Sequence, residues 1–419
     1  MLRVWLRPLL SAATSFRFRK NLKGTAVEHR IARKLASIER SATMALADRA
    51  RSLKESGRKV INLAGGDPHF ATPGHVVDAA RGALDEGFTH YTSSRGLPEL
   101  RAAVTDRLRR RSGVTRDPER EIVITPSAKH AVFVSLMAVL DPGDEVLIPT
   151  PSWVSYGQMV RLAGAEPVFV PLCADDGFTL SRELLEAKLT QKTKVVVLNS
   201  PTNPTGRVLR ASELRDVTEF SAAHDLVVIS DEIYEDIVFD GNRHRSPSEY
   251  PECTERTLTV GGFSKSYAMT GWRLGYVSGP QKLMNAVLKV QEHSVGEAGS
   301  FIQRGGVAAL RGEQSPVRRM VEQYNRHREW AHAALRQVPG IECALPEGAF
   351  YIFPDVSGLG FSDSYACAQW LIEEAGVVVT PGSAFGPGGE GHIRLSLAAS
   401  TAAVEAGVSQ LCDVLSTLD

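Results

Sequence analysis

The sequence predicts an α/β fold: a large unit built on a mostly parallel seven-stranded sheet wrapped by helices, followed by a smaller α+β unit. Three observations carry this. From residue 60 onward, short β-branched runs alternate with amphipathic stretches of helical length, the pattern of parallel strands joined by crossover helices. Several runs, such as 194–199, are near-continuous Val and Leu, which implies burial on both faces. After residue 281 the pattern changes to consecutive long helices and then a short mixed region.

Taken in order, the strands fall at 121–125, 145–149, 168–171, 194–199, 226–230, 257–261 and 274–278. Helical patterns occupy 98–111, 130–140, 181–189 and 212–224, and further helices run from 281 to about 338. We place the large unit at 61–300 and the small one at 301–419, with an arm at 31–60 that joins the small unit. No internal repeat is present. The Gly-rich stretch GPGGEG at 386–391 precedes a strand-like run rather than a helix, so a loop is expected there and not a phosphate cradle.

A chain of 419 residues, 43% apolar and 23% charged, can bury a large core. Its 48 basic and 48 acidic residues cancel, so net charge names no nucleic-acid or membrane partner. Cys173, Cys253, Cys343, Cys367 and Cys412 are odd in number, widely spread and without a CxxC pair. Neither a disulfide framework nor a metal site is indicated, and a reducing, cytoplasmic compartment fits best. The longest apolar run, around 131–140, falls short of the roughly 20 residues that span a bilayer. Residues 1–30 carry Arg3, Arg7, Arg17, Arg19, Lys20 and Lys23 and no acid before Glu28. That is the composition of an organellar transit peptide, which would place the protein in an organellar matrix, or of a disordered basic extension or a stretch read from an upstream start codon. Either way it stands outside the fold.

Ligands of open parallel sheets bind beyond the carboxyl ends of the strands. After the strand at 194–199 comes NSPTNPTG (199–206), after 226–230 comes DEIY (231–234), and after 257–261 comes GFSK, ending at Lys265. Gly271-Trp272-Arg273 follows shortly after. An amide, a carboxylate, a phenol, an amine and a guanidinium are thus presented along one edge. Alone, each has an ordinary explanation: an Asp-Glu after a strand caps a helix, and a lysine is solvated.

Together and in this order they resemble the class I aminotransferases of the aspartate aminotransferase superfamily, fold type I pyridoxal-phosphate enzymes. The resemblance runs from about residue 38 to the C-terminus and is most specific in GGFSKSYAMTGWRLG (261–275). Within class I it is closest to the gamma subgroup of bacterial aspartate aminotransferases, through ERSATM (39–44), HYTSSRGLPELR (90–101), SWVSY (152–156) and NSPTNPTG.

The resemblance implies pyridoxal 5′-phosphate held as a Schiff base on Lys265, the catalytic residue, which also moves the proton from the substrate Cα. Both tasks need an uncharged amine near neutral pH. It implies that Asp231 pairs with the pyridine nitrogen, that Asn203 and Tyr234 donate to the 3′ oxygen, and that Trp153 stacks on the ring. Arg273, with the backbone amides of Ala128 and Lys129 at a helix start, would hold the phosphate. Tyr91 would reach the phosphate of a partner subunit, which requires a homodimer.

For the substrate, the resemblance implies that Arg394, in HIRLSLA (392–398), grips the α-carboxylate and that Gly66 lets the backbone approach it, with Trp153 and Asn203 nearby. Lys129, with Ser41 and Thr43, would bind a second carboxylate, favouring aspartate and glutamate as donors and 2-oxoglutarate or oxaloacetate as acceptors. A solvated lysine at a helix start, and Ser41 and Thr43 as caps, are the structural alternatives. QEHSVGE (291–297) is a departure from the family's Ser/Thr-rich sequence: Glu292 or Glu297 could repel a dicarboxylate or stand exposed at a helix end. His69 departs in the same way from an acidic position. Rival readings keep the cofactor but change the acid (prephenate, aromatic or alanine) or the reaction (lyase or oxidase). A cofactor-binding regulatory domain is disfavoured, since thirty residues are too few for a winged helix.

Overall fold

In the computed structural model of the chain, residues 32–38 and 43–418 are described. The basic segment 1–30 and Ser41 lie outside them. The strands are β1 (Ile61–Asn62), β2 (Ile122–Thr125), β3 (Glu145–Thr150), β4 (Glu166–Pro171), β5 (Thr193–Asn199), β6 (Val227–Asp231), β7 (Thr257–Gly262), β8 (Gly275–Ser278), β9 (Tyr351–Ile352), β10 (Val377–Val378), β11 (Thr380–Pro381) and β12 (Ile393–Ser396). The helices are α1 (Thr43–Glu55), α2 (Gly74–Asp85), α3 (Pro98–Ser112), α4 (Ala128–Val139), α5 (Ser155–Leu162), α6 (Arg182–Glu186), α7 (Ala211–Ala223), α8 (Pro251–Thr254), α9 (Gln281–Ser294), α10 (Ser300–Arg311), α11 (Ser315–Leu335), α12 (Ser364–Glu374) and α13 (Thr401–Leu415).

β2 to β8 form the seven-stranded sheet that the sequence predicts, in the order β2-β8-β7-β6-β5-β3-β4. The run from β7 through β6, β5 and β3 to β4 is parallel, whereas β8 is antiparallel to both its neighbours, β2 and β7. With β8 alone reversed, the carboxyl ends of the other six strands share one edge. In β5, Val195 to Leu198 are all buried, because helices cover both faces of the sheet. The expected apolar helix is α4, whose Ala131, Val132, Val134 and Leu136 pack against Val146, Val195, Val197 and Ile229. Each of the Val, Leu and Ile side chains contributes about 1.5–3 kcal/mol on burial.

Helix ends follow local chemistry. α3 starts on Pro98 and stops at Gly113, whose φ of 75° is left-handed. Asp363 and Ser400 accept from the Ala366 and Ala403 N–H groups and cap α12 and α13, at about 1 kcal/mol each. The helix expected over 181–189 is shorter than its pattern suggested. α6 buries Leu185 only, so no apolar face sustains it beyond Glu186.

The C-terminal region is α+β, as expected. β11, β12 and β9 form an antiparallel sheet, and β1 pairs in parallel with β10. Leu63, Ile352, Leu371, Val404 and Leu411 belong to a second core there. GPGGEG is a loop ahead of β12, as expected. Among the described residues no helix is long and apolar enough to cross a membrane.

Candidate active site

The shared strand edge opens into a cavity of about 400 Å³. β2 delivers Ser127 and the start of α4 to it, β3 leads to Trp153, β5 to Asn203, β6 to Asp231 and Tyr234, and β7 to Lys265 and then Arg273. Gly66 and Arg394 reach it from segments adjoining the second core. Ten residues expected from the sequence therefore line one space: Gly66, Ala128, Lys129, Trp153, Asn203, Asp231, Tyr234, Lys265, Arg273 and Arg394. Tyr91 is not among the lining residues and stands 96% exposed. Ser41 lies outside the described residues, and so does the side chain of Thr43 at the start of α1.

Backbone geometry at the rim is demanding. Ser127 (φ 105°) and Arg273 (φ 54°) both occupy left-handed backbone, a conformation that clusters at functional sites. Ser127 caps α4 by accepting from the His130 N–H at 3.3 Å. A Cβ on Gly275 would come within 2.4 Å of the Ala128 nitrogen, so glycine is needed there to seat the helix start on β8. The Asn199 side chain donates to the Asp231 carbonyl and accepts from the Asn203 N–H, each at 2.9 Å, and so fixes the Asn203 loop to the end of β6.

The cavity holds both signs of charge. Asp231 is buried, and among the described residues its carboxylate is held by two uncharged donors: Tyr156 Oη at 2.8 Å and the Ile233 N–H at 3.2 Å. Burial pushes its carboxyl up to about 6 against those hydrogen bonds. Lys129, Lys265 and Arg273 line the same cavity. Burial, then repulsion from Arg273 and Lys265, holds the Lys129 ammonium below its usual range, and Lys129 Nζ sits 5.0 Å over the Trp153 ring. Lys265 Nζ donates to the Gly66 carbonyl. Arg394 donates to Asn203 Oδ1 at 2.8 Å and to the Ala64 carbonyl at 2.6 Å, while its buried Nε has no hydrogen-bond partner among the described residues. Its guanidinium lies over the Tyr351 ring at 4.3 Å and the Phe385 ring at 4.9 Å.

Among the lining residues to which the sequence assigns no role, Asp67, Tyr156, Thr270 and Tyr351 make contacts that bear on the site. Tyr156 lies inside the SWVSY motif, three residues after Trp153, which is its signal in the sequence. Thr270 donates to Asp67 Oδ1 at 2.6 Å and accepts from Arg273 at its carbonyl, also at 2.6 Å; their nearness to Arg273 and Gly66 was the signal. Tyr351 sits in a short apolar strand and had none. Glu297 accepts from the Thr92 N–H at 3.2 Å, whereas Glu292 and His69 are exposed. Behind the turn after β6, Arg107 is buried between Glu235 (2.8 Å) and Asp236 (2.5 Å). Among the described residues no cluster of His, Cys, Asp or Glu suits a metal ion.

The profile of the family "Aminotransferase class I and II" matches residues 58–412. The chain belongs to that family. This aminotransferase is 43% identical to the aspartate aminotransferase of Musicola paradisiaca over 93% of its own length and 97% of that protein's. It superposes on the crystal structure of the aspartate aminotransferase from Rhizobium meliloti with a TM-score of 0.89 at 37% identity, covering 93% of this chain and 99% of that one. For the Thermus thermophilus aspartate aminotransferase with maleate, the TM-score is 0.86 at 38% identity, covering 92% and 99%. The fold of this aminotransferase is thus that of aspartate aminotransferases, and it is a transaminase.

Proposed function

We propose that this aminotransferase binds pyridoxal 5′-phosphate through Lys265 and exchanges amino groups between an acidic amino acid, aspartate or glutamate, and a 2-oxo acid such as 2-oxoglutarate or oxaloacetate. One observation carries the cofactor reading: Asp231 is a buried carboxyl with no ion pair among the described residues, in a cavity that Lys129, Lys265 and Arg273 also line. A group with a protonatable ring nitrogen at one end and a phosphate at the other matches both, and the residues present fit it. The Ala128 and Lys129 N–H groups with Arg273 would take the phosphate, Trp153 the ring face, and Asn203 and Tyr234 the ring oxygen.

When bound, pyridoxal phosphate supplies a carbonyl that accepts the amino group and a conjugated ring that takes up the electron pair left at Cα. The chain does the rest. Lys265 Nζ removes the proton from the substrate Cα and holds it for return. Arg394 holds the α-carboxylate, with its unpartnered Nε available for that contact, and Gly66 admits the carboxylate beside its backbone. Lys129 meets the side-chain carboxylate, with Ser41 and Thr43 proposed beside it. Support for a dicarboxylate comes from Lys129 lining the cavity together with Arg273 and Lys265, a cationic lining that a second carboxylate complements, and from the Thermus relative studied with maleate.

We also read the protein as a homodimer, with exposed Tyr91 reaching the phosphate of a second copy. We divide the chain into a large unit at 61–300 and a small one at 301–419; the core around Leu371 and Val404 supports the small unit, although Leu63 packs with that core and Met320, Tyr324 and Phe350 pack with the core of the large sheet. Assay with a panel of amino donors tests the reading. Aspartate and glutamate should be the best donors, with stoichiometric amination of the oxo acid and no ammonia or peroxide, and Lys265→Ala should lose visible cofactor absorbance and at least about 10²- to 10⁴-fold in turnover. Failure with both acidic donors would remove the substrate assignment, and persistence of absorbance and turnover in the variant would remove the lysine's role.

A further inference from the structure

We propose that Tyr351 is a positioning residue: its hydroxyl donates to the Tyr234 hydroxyl and aims the one Tyr234 proton at the cofactor's ring oxygen, while its ring carries the Arg394 guanidinium. The proposal rests on the roles given above to Lys265, Tyr234 and Arg394. The two phenolic oxygens are 2.9 Å apart and both side chains are buried. A tyrosine has one proton to give. If Tyr234 gives its proton to the ring oxygen, the bond between the phenols has a single polarity, with Tyr351 the donor. A hydroxyl that accepts one hydrogen bond donates the next more strongly.

The packing leaves Tyr351 little freedom to do otherwise. A Cβ on Gly66 would stand 2.6 Å from the Tyr351 hydroxyl and 3.6 Å from Lys265 Nζ, so the phenol rests on the Gly66 backbone beside the lysine. Glycine at 66 is therefore required by Tyr351 as well as by an incoming carboxylate. The Tyr351 ring meets the Tyr234 ring edge-on at 5.8 Å and lies 4.3 Å beneath the Arg394 guanidinium. Its strand pairs Tyr351 with Ser396, two residues beyond Arg394. Tyr351 thus comes from the C-terminal sheet and Tyr234 from the end of β6 in the large one. One side chain ties the group that would grip the substrate to the group that would tune the cofactor.

Weaker donation from Tyr234 leaves the ring oxygen a stronger base, so it holds the proton shared with the Lys265 nitrogen to higher pH. The test is a pH titration of the visible absorbance of the cofactor-loaded enzyme, alongside donor kinetics, for wild type, Tyr351→Phe, Tyr351→Leu, Tyr234→Phe and the Tyr234→Phe/Tyr351→Phe double variant. Tyr351→Phe should raise the titration midpoint by about half a pH unit, with KM for the donor within about twofold of wild type because the ring remains under Arg394. Tyr351→Leu should raise KM by about tenfold as well. In the Tyr234→Phe background, Tyr351→Phe should move the midpoint no further, since the hydroxyl it would act through is gone; a packing role alone would shift both backgrounds equally. Should Tyr351→Leu not fold, Gly66→Ala, which displaces the phenol, should reproduce the Tyr351→Phe midpoint. An unchanged midpoint in Tyr351→Phe, or an equal shift in both backgrounds, overturns the proposal. A wild type with no visible band, indistinguishable from Lys265→Ala, instead sinks the reading of Lys265 and this proposal with it.

Discussion

Tyr156 Oη donates to Asp231 Oδ2 at 2.8 Å, and both groups are buried at the base of the cavity. This hydrogen bond and the one from the Ile233 N–H oppose burial, which pushes the Asp231 carboxyl up to about 6. Removing the phenol lets burial act with less opposition, leaving a poorer anion for a protonated ring nitrogen. Tyr156→Phe should therefore weaken cofactor binding about tenfold, the magnitude of one hydrogen bond to a charged group. Titration of cofactor-free protein with pyridoxal phosphate measures it, and an affinity unchanged within twofold would mean that Tyr156 only packs.

The large sheet was legible because its strands are buried on both faces, so strings such as Val195-Val196-Val197-Leu198 are continuous in the sequence and fall within one or two residues of β5 and its neighbours. The site was legible where one strand end carries a chemically unusual group, as Asp231, Asn203 and Lys265 do. Tyr351 was not, because its role depends on a contact with Tyr234, 117 residues away in the chain, and its own strand is two residues long. The end of α6 was misjudged because helical periodicity at 181–189 reports composition, whereas helix length depends on what the helix packs against.

Lys129 distinguishes donors. Its ammonium is held down by burial and by Arg273 and Lys265, a cost that a bound side-chain carboxylate relieves and an alanine methyl does not. Lys129→Met should lower kcat/KM for aspartate by about ten- to a hundredfold, the worth of a hydrogen bond to a charged group, and change that for alanine far less. Steady-state kinetics with the two donors decide it. Equal losses for both would return Lys129 to a general electrostatic part.

Stability should depend on the ion cluster behind the β6 turn. Arg107 is buried and bridges Glu235 and Asp236, with Arg111 also on Asp236. Arg107→Met leaves two buried carboxylates with part of their compensation gone, and breaking such a cluster costs about 3–5 kcal/mol. Urea unfolding of the cofactor-free protein should show that loss as a lower midpoint at unchanged slope. A loss under about 1 kcal/mol would mean that water or Arg111 takes over the charge.

His244 gives the same region a pH dependence with a definite sign. Its Nε2 lies 3.0 Å from Glu232 Oε2, on the residue following Asp231. Burial pulls the imidazole down, but Glu232, helped by Glu235 and Glu249, outweighs it and lifts it above its ordinary value. A histidine whose folded value is raised binds its proton more tightly in the native state. Its contribution is complete below the unfolded value, about 6.5, and is lost as pH rises through the raised one. His244→Gln should therefore cost more stability near pH 6 than near pH 9, so the gap between wild-type and variant urea midpoints should narrow as pH rises. A gap that widened would show that the buried imidazole is neutral in the native protein and that Glu232 is stabilised instead by Ser230 and Ser246, which donate to it at 2.8 and 2.6 Å.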